Sequence, residues 1–215
     1  MSDGFPVAAS AAAATLYISF DLETLGGNPA DLPVINWGFV AYLAPAPAGA
    51  GAVKKIGQLS VNMKPLHPDP STVAWFNSTP DLKRAYEECT KEPVVSPTEG
   101  MEQIRYWINE MTLLATTSAG APPRILFVAY PTIFDGSLLY YYWFRYLGHP
   151  TNGRGPGFTM LDIRSYAAGR LGIPYHEASK EKALRPYCPD KLPHTHTGID
   201  DAEEQMWLLF NIMKK

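Results

Sequence analysis

The segment Leu16–Leu22, LYISFDL, is an almost unbroken apolar, β-prone run, and the carboxylates Asp21 and Glu23 mark its C-terminal end. Such a run fits the central strand of a sheet. Residues two apart in a strand project to the same face, so Asp21 and Glu23 can reach one ion together. Acidic residues also end strands as solvated turn positions. Unpaired charge at the end of so apolar a strand is costly, however, which favours a working pair. Carboxylates gathered in this way suit a hard divalent cation.

Further along the chain, Val34–Leu43 (VINWGFVAYL) and Lys55–Met63 are strand candidates separated by the flexible Ala44–Ala52. Three strands at this spacing suggest an antiparallel meander. Ser71–Phe76 and Asp81–Glu88 read as short helices. Ser96-Pro-Thr-Glu99 is a capping box with proline at the first helical position, predicting a helix from about Pro97 to about Thr116. Arg124–Tyr130 (RILFVAY) is another buried-type strand, followed by a helix over Ile133–Leu147 whose Tyr140–Phe144 stripe reads as core and interface. Gly148–Gly157 reads as a loop, Leu161–Leu171 as a helix, Ile173–Pro193 as a loop and Asp200–Met213 as an amphipathic closing helix. A meander followed by alternating strands and helices indicates an α/β domain with a mixed central sheet. Ligands of such sheets gather at strand ends.

The 215 residues suffice for one domain, expected over 15–215, with Met1–Ala14 as a disordered Ala-rich leader. That leader lacks the basic and bulky apolar regions of a signal peptide. No apolar run approaches the ~18–20 residues that cross a bilayer, so no membrane partner is expected. Two distant cysteines, Cys89 and Cys188, suit a reducing cytoplasm and argue against a disulfide framework. The net charge of −3 disfavours a long duplex footprint. Residues 136–195 nevertheless hold eight Lys/Arg against four Asp/Glu, compatible with gripping a strand end. Arg154, Arg164, Lys180, Lys182, Arg185 and Lys191 supply this balance, and solvated surface explains them as well as strand guidance does.

Two further clusters bear on chemistry. His194-Thr-His196-Thr-Gly-Ile-Asp200-Asp201 places His196 five residues before Asp201 at a helix entry. A histidine beside carboxylates moves protons near neutral pH. The His-x-His pair raises zinc, but Gly198 and Ile199 fall where a zinc hydrolase would continue its ligand pattern, and zinc is set aside with His194 as a bystander. Asp135 follows the strand at 125–130 and a short turn; a helix cap explains it equally well in isolation.

FDLET, an Asp after a second strand, and H-x4-D at the last helix together resemble the three motifs of the DEDDh (DnaQ-like) 3′–5′ exonucleases, which share a ribonuclease H-like fold. The resemblance spans about Leu16 to Met213. FDLETLGGNPADLPVINWGFVAY, DPSTVAWF, AYPTIFD, LDIRSYA and HTHTGIDDAEEQ are similar to the bacterial, phage and viral branch that includes the mycobacterial-type exoribonucleases. Some members of that branch carry Trp-Trp where this chain has Trp75-Phe76. Asp162, in LDIRSYA, matches a recurrent family position that a helix cap also explains.

This resemblance implies Asp21, Glu23, Asp135, His196 and Asp201 as the catalytic set, with the four carboxylates holding two divalent ions, Mg²⁺ or Mn²⁺. Two ions ~3.5–4 Å apart stabilise the attacking and leaving oxygens of an in-line displacement. His196 is implied as the general base toward water, and nucleoside 5′-monophosphates as products. Thr24, Leu25, Trp75, Phe76 and Phe134 are implied substrate contacts, Leu25 as a wedge and the aromatics as stacking or cleft surfaces. The implied substrates are single-stranded RNA or DNA 3′ ends, with RNA slightly ahead, and a homodimer is compatible. Two other readings stand beside it: a catalytically silent nucleic-acid-binding module, and a proofreading or processing subunit that depends on a partner protein.

Overall fold

The computed structural model describes residues 13–46, 52–148, 155, 160–189 and 195–215. A six-stranded sheet forms its centre. β1 (Thr15–Thr24), β2 (Val34–Ala44) and β3 (Lys54–Met63) make the expected antiparallel meander. β5 (Arg124–Ala129) joins β1 in parallel on the other side. Two short parallel pairings complete the order β4-β3-β2-β1-β5-β6, through β4 (Val94–Val95) and β6 (Leu161–Asp162). The helices are α1 (Pro70–Phe76), α2 (Pro80–Cys89), α3 (Pro97–Ala119), α4 (Thr132–Leu147), α5 (Ile163–Leu171) and α6 (Gly198–Met213).

Alternation along β1 sorts the interior into two halves. Leu16, Ile18, Phe20 and Leu22 point to one face, where Trp37 and Phe39 of β2 meet Met101, Ile104 and Ile108 of α3 and Leu138, Leu139 and Tyr142 of α4. Each such fully buried side chain contributes roughly 1.5–3 kcal/mol. Tyr17 points to the opposite face, where Val40, Tyr42 and Val128 pack against α5 and against Ala202, Met206 and Leu209 of α6. Asp21 and Glu23 have the same parity as Tyr17. The strand pleat therefore aims both carboxylates at the α6 side of the sheet.

The approach of α6 is set by two glycines. Gly38 lies directly opposite Asp21 in the β1–β2 register. A Cβ there would sit 1.9 Å from the Gly198 carbonyl carbon and 2.0 Å from the Ile199 nitrogen. A Cβ on Gly198 would meet Asn36 Oδ1 and the Gly38 nitrogen at 2.7 Å. Backbone rests on backbone here, and neither position has room for a side chain.

Local capping follows the sequence at α3, where the Ser96 side chain accepts from the Glu99 N–H and the Glu99 carboxylate accepts from the Ser96 N–H. That helix runs to Ala119 and stops at Gly120, whose φ of 72° is left-handed. The Tyr142 hydroxyl accepts from the Val34 N–H at 3.1 Å, placing the middle of the aromatic stripe in the core.

Several expectations are corrected. The helix expected over Leu161–Leu171 begins only at Ile163, because Leu161 and Asp162 pair with Val128 and Ala129. The Asp162 carboxylate then accepts from the Ser165 N–H at 2.6 Å, capping the helix, and from the Thr132 N–H at 2.8 Å, tying it to α4. Ala14, expected in the leader, is buried, and its carbonyl accepts from the Arg124 N–H at 2.8 Å. Residues 1–12, most of the loops at 44–52 and 148–157, and His194 lie outside the described residues. The loop after Ile173 contains two short 3-10 turns, Tyr175–Glu177 and Arg185–Tyr187. Among the described residues no helix is long and apolar enough to cross a membrane.

Replacing Gly38 by alanine forces α6 off β2. Gly38→Ala should lower unfolding stability by about 1–3 kcal/mol in chemical denaturation, the range for an overpacked core. A change below about 0.5 kcal/mol, the usual size at an uncrowded surface position, would contradict the close contact.

Candidate metal centre

Three elements converge at the C-terminal end of β1. The strand contributes Asp21 and Glu23, and a register shift between Glu23 and Thr24 bends it where its pairing with β2 ends. The first turn of α4 contributes Asp135 and the first turn of α6 contributes Asp201. The turn entering α6 contributes His196. Ligand atoms of Glu23, His196 and Asp201 all lie within 4.8 Å of one another.

The carboxylates are held in low-dielectric surroundings. Asp201 is fully buried, Glu23 and Asp135 nearly so, and Asp21 is half-buried. Burial pushes the Asp135 carboxyl well above the usual carboxylate range. The charges of Glu23 and Asp201 push the same way, while its own backbone N–H and Lys180 oppose them. Asp201 Oδ1 accepts from the Thr195 N–H at 3.2 Å. Asp21 Oδ1 accepts from the side-chain amide of Gln205, one helical turn past Asp201 on α6. Asp200 does different work: it is exposed, and its Oδ2 accepts from the hydroxyls of Thr195 at 2.9 Å and Thr197 at 3.0 Å, knitting the turn.

His196 adopts φ 57°, a left-handed conformation uncommon for a residue with a side chain. Such strain persists where surrounding contacts over-determine it. Its carbonyl accepts from the buried Cys89 thiol of α2 at 3.7 Å. Its ring meets the Trp75 ring of α1 edge to face, with centroids 5.5 Å apart.

The donor set suits a divalent cation. It offers hard carboxylate oxygens with one imidazole, the chemistry of Mg²⁺ and Mn²⁺ sites, and neither cysteine belongs to it. Several carboxylates buried together are costly unless positive charge joins them. Glu23, His196 and Asp201 bring their ligand atoms close enough together to share one ion.

The structure separates the expected substrate contacts. Trp75 is 46% exposed and Phe134 40% exposed, and Thr24 is half-buried at the bulge. Leu25 and Phe76 are both buried, packed with Ile35 and Cys89 in a small cluster beneath α1. Successive helical residues point in different directions, and only Trp75 of the pair faces outward. Lys180 also differs from the solvated surface reading. It forms a mostly buried ion pair with Glu204 and sits 5.2 Å over the Tyr130 ring.

Sequence reasoning passed over Gln205, Asn36 and Ile133. Gln205 sits at i+4 from Asp201, the spacing that puts two residues on one helix face. Asn36 and Gly38 interrupt an otherwise apolar strand, a signal of close backbone approach. Ile133 is 79% exposed on the turn that carries Asp135, and it lines a cleft of about 810 Å³ together with Ser137, Tyr140, Asp162 and Tyr175.

No protein-family model matches the chain, and no curated protein matches it in sequence. Solved structures do. The nuclease domain of 3′hExo, a DEDDh family member bound to rAMP, superposes with a TM-score of 0.60 at 12% identity, over 94% of this chain and 92% of that one. The chain has the fold of the DEDDh 3′-exonucleases. Exonuclease I superposes with a TM-score of 0.58 at 15% identity, and E. coli Exonuclease I in complex with a dT13 oligonucleotide with 0.55 at 16%. In both cases the match covers 94% of this chain but 41% of the other, so this chain corresponds to less than half of Exonuclease I. That fold is a ribonuclease H-like one, as the resemblance of the motifs implied.

A cation that binds only the folded state raises its stability by mass action. Mn²⁺ or Mg²⁺ added to EDTA-stripped protein should therefore raise the Tm in a saturable way. Asp135→Asn should lose most of that rise while being at least as stable as wild type in EDTA, since it replaces a carboxyl whose charged form burial disfavours. An unchanged cation-induced shift in this variant would remove Asp135 from the site.

Proposed function

We propose that the chain is a divalent-metal-dependent 3′–5′ exonuclease that shortens single-stranded nucleic acid, RNA ahead of DNA, and releases nucleoside 5′-monophosphates. The observation that supports it most is the meeting of Glu23, His196 and Asp201 at the end of β1, with Asp21 and Asp135 beside them, on the fold of the DEDDh exonucleases. Asp21, Glu23, Asp135 and Asp201 would hold two cations, which when bound supply positive charge at the attacking and leaving oxygens.

The chain's own residues supply the rest. His196 takes a proton from the attacking water, and its restrained backbone with Trp75 alongside fixes where its ring can act. The water oxygen bonds to the terminal phosphorus as the bond to the preceding 3′ oxygen breaks; that oxygen takes a proton from solvent, and His196 returns its own to solvent. The exposed Trp75 and Phe134 offer ring faces for the terminal nucleotide. Stacking of this kind contributes ~1–3 kcal/mol per base and is indifferent to sequence.

Solved neighbours bear on both substrate classes: one is a 3′-exonuclease recognising a histone mRNA stem-loop, another the Exonuclease I complex with an oligonucleotide.

Matched 5′-labelled RNA and DNA oligonucleotides decide the proposal. With Mn²⁺, a stepwise ladder should form from the 3′ end, fastest on RNA, and EDTA should abolish it. His196→Ala should lower kcat by about 10²–10⁴-fold while shifting the Mn²⁺ requirement little. Equal loss of both would make His196 a ligand rather than a base. Absence of any ladder, with nucleic-acid binding retained, would favour the silent binding module instead.

A further inference from the structure

The catalytic carboxylates reach the site from separate elements, and their mutual geometry depends on where the 195–201 turn lands on the sheet. One buried side chain fixes that landing. Asn36 is 3% exposed and lies directly opposite Glu23 in the β1–β2 register. Its Oδ1 accepts from the Gly198 N–H at 3.0 Å, two residues after His196 and three before Asp201. That N–H belongs to the first turn of α6 and has no partner within its own helix, so the Asn36 side chain serves as its acceptor across the sheet.

The amide is itself held. Its Nδ2 donates to Ser60 Oγ at 3.0 Å and to Asn62 Oδ1 at 2.7 Å, both on β3. Asn62 lies opposite Asn36 in the β2–β3 register, and its own amide donates to the carbonyls of Glu88 and Lys91 at 2.9 Å, where α2 ends. The same helix end carries Cys89, whose thiol reaches the His196 carbonyl. A transverse polar ladder, Glu23 to Asn36 to Asn62, thus crosses three strands and grips the His196–Asp201 turn at Gly198. The two β3 partners hold Nδ2, and that fixes the amide with Oδ1 toward the Gly198 N–H.

We infer that Asn36 is a positioning residue: it sets the separation of Glu23 from His196 and Asp201 by anchoring the Gly198 amide. This rests on reading the cluster as a metal-dependent nuclease site. Partners that orient the ligands of a metal site typically cost 10–100-fold in metal affinity or activity when removed. A residue needed only for folding would alter stability without that effect.

The test compares Asn36→Leu, close in volume but unable to accept, with Ser60→Ala, which leaves Asn62 to hold the amide. Hydrogen exchange in metal-free protein gives the first readout. The Gly198 amide should exchange about tenfold faster in Asn36→Leu and unchanged in Ser60→Ala, with the β1 and β5 amides protected in both. Mn²⁺ titration gives the second: the half-saturating concentration for the Tm rise should increase at least about tenfold in Asn36→Leu, and kcat should fall without a matching change in oligonucleotide KM. Wild-type Gly198 exchange or wild-type Mn²⁺ half-saturation in a folded Asn36→Leu would overturn the inference. Asn36→Ala takes the same measurements should the leucine variant fail to fold. If wild type shows no cation-induced shift at all, the metal-nuclease reading falls, while the exchange data still decide whether Asn36 anchors the turn.

Discussion

The contact between Gly38 of β2 and Gly198 of α6 is the constraint on which the rest of the molecule turns. A helix normally packs on a sheet through side chains, at a distance they dictate. Here two glycines remove them, and the N-terminus of α6 settles onto the strand backbone beside Asp21. That closeness brings Asp201 to within reach of Glu23, and it explains why a glycine interrupts a strand otherwise built from large apolar residues. The lower half of α6, from Ala202 to Ile212, then buries an ordinary apolar face and holds the arrangement in place.

Burial and charge are set against each other at the resulting site. The hydrophobic core lies on both sides of the carboxylate cluster, so Asp135 and Asp201 are withdrawn from water. Lys180, whose charge acts on Asp135, is committed to Glu204. A fold that concentrates acid groups in this way keeps them only where function repays the instability. The left-handed backbone of His196 belongs to the same pattern, being held by Cys89 and Trp75 on helices that contribute no carboxylate of their own.

Much of this was legible in the sequence because the period of a strand is two. Knowing that LYISFDLET is a strand is enough to put Asp21 and Glu23 on one face, and H-x4-D at a helix entry brings the turn and the helix into the same reading. The capping box at Ser96 likewise located α3 to within a few residues of its end. What escaped was tertiary. β6 is two residues long, shorter than any periodicity can register, and exists because β5 offers an open edge. Trp75 and Phe76 are adjacent on a short helix, and only the packing of α1 over Leu25 and Cys89 decides which ring is buried. Asn36 and Gln205 act through bonds to residues 162 and 184 positions away, which no local pattern encodes.

Anomalous scattering from a crystal of the protein grown with Mn²⁺ tests the central claim most directly. Peaks should appear among the carboxylates of Asp21, Glu23, Asp135 and Asp201, and disappear when the Mn²⁺ is exchanged for a non-binding salt. Manganese density found elsewhere on the molecule, or none at the end of β1 at saturating concentration, would contradict the assignment of this cluster as the metal centre.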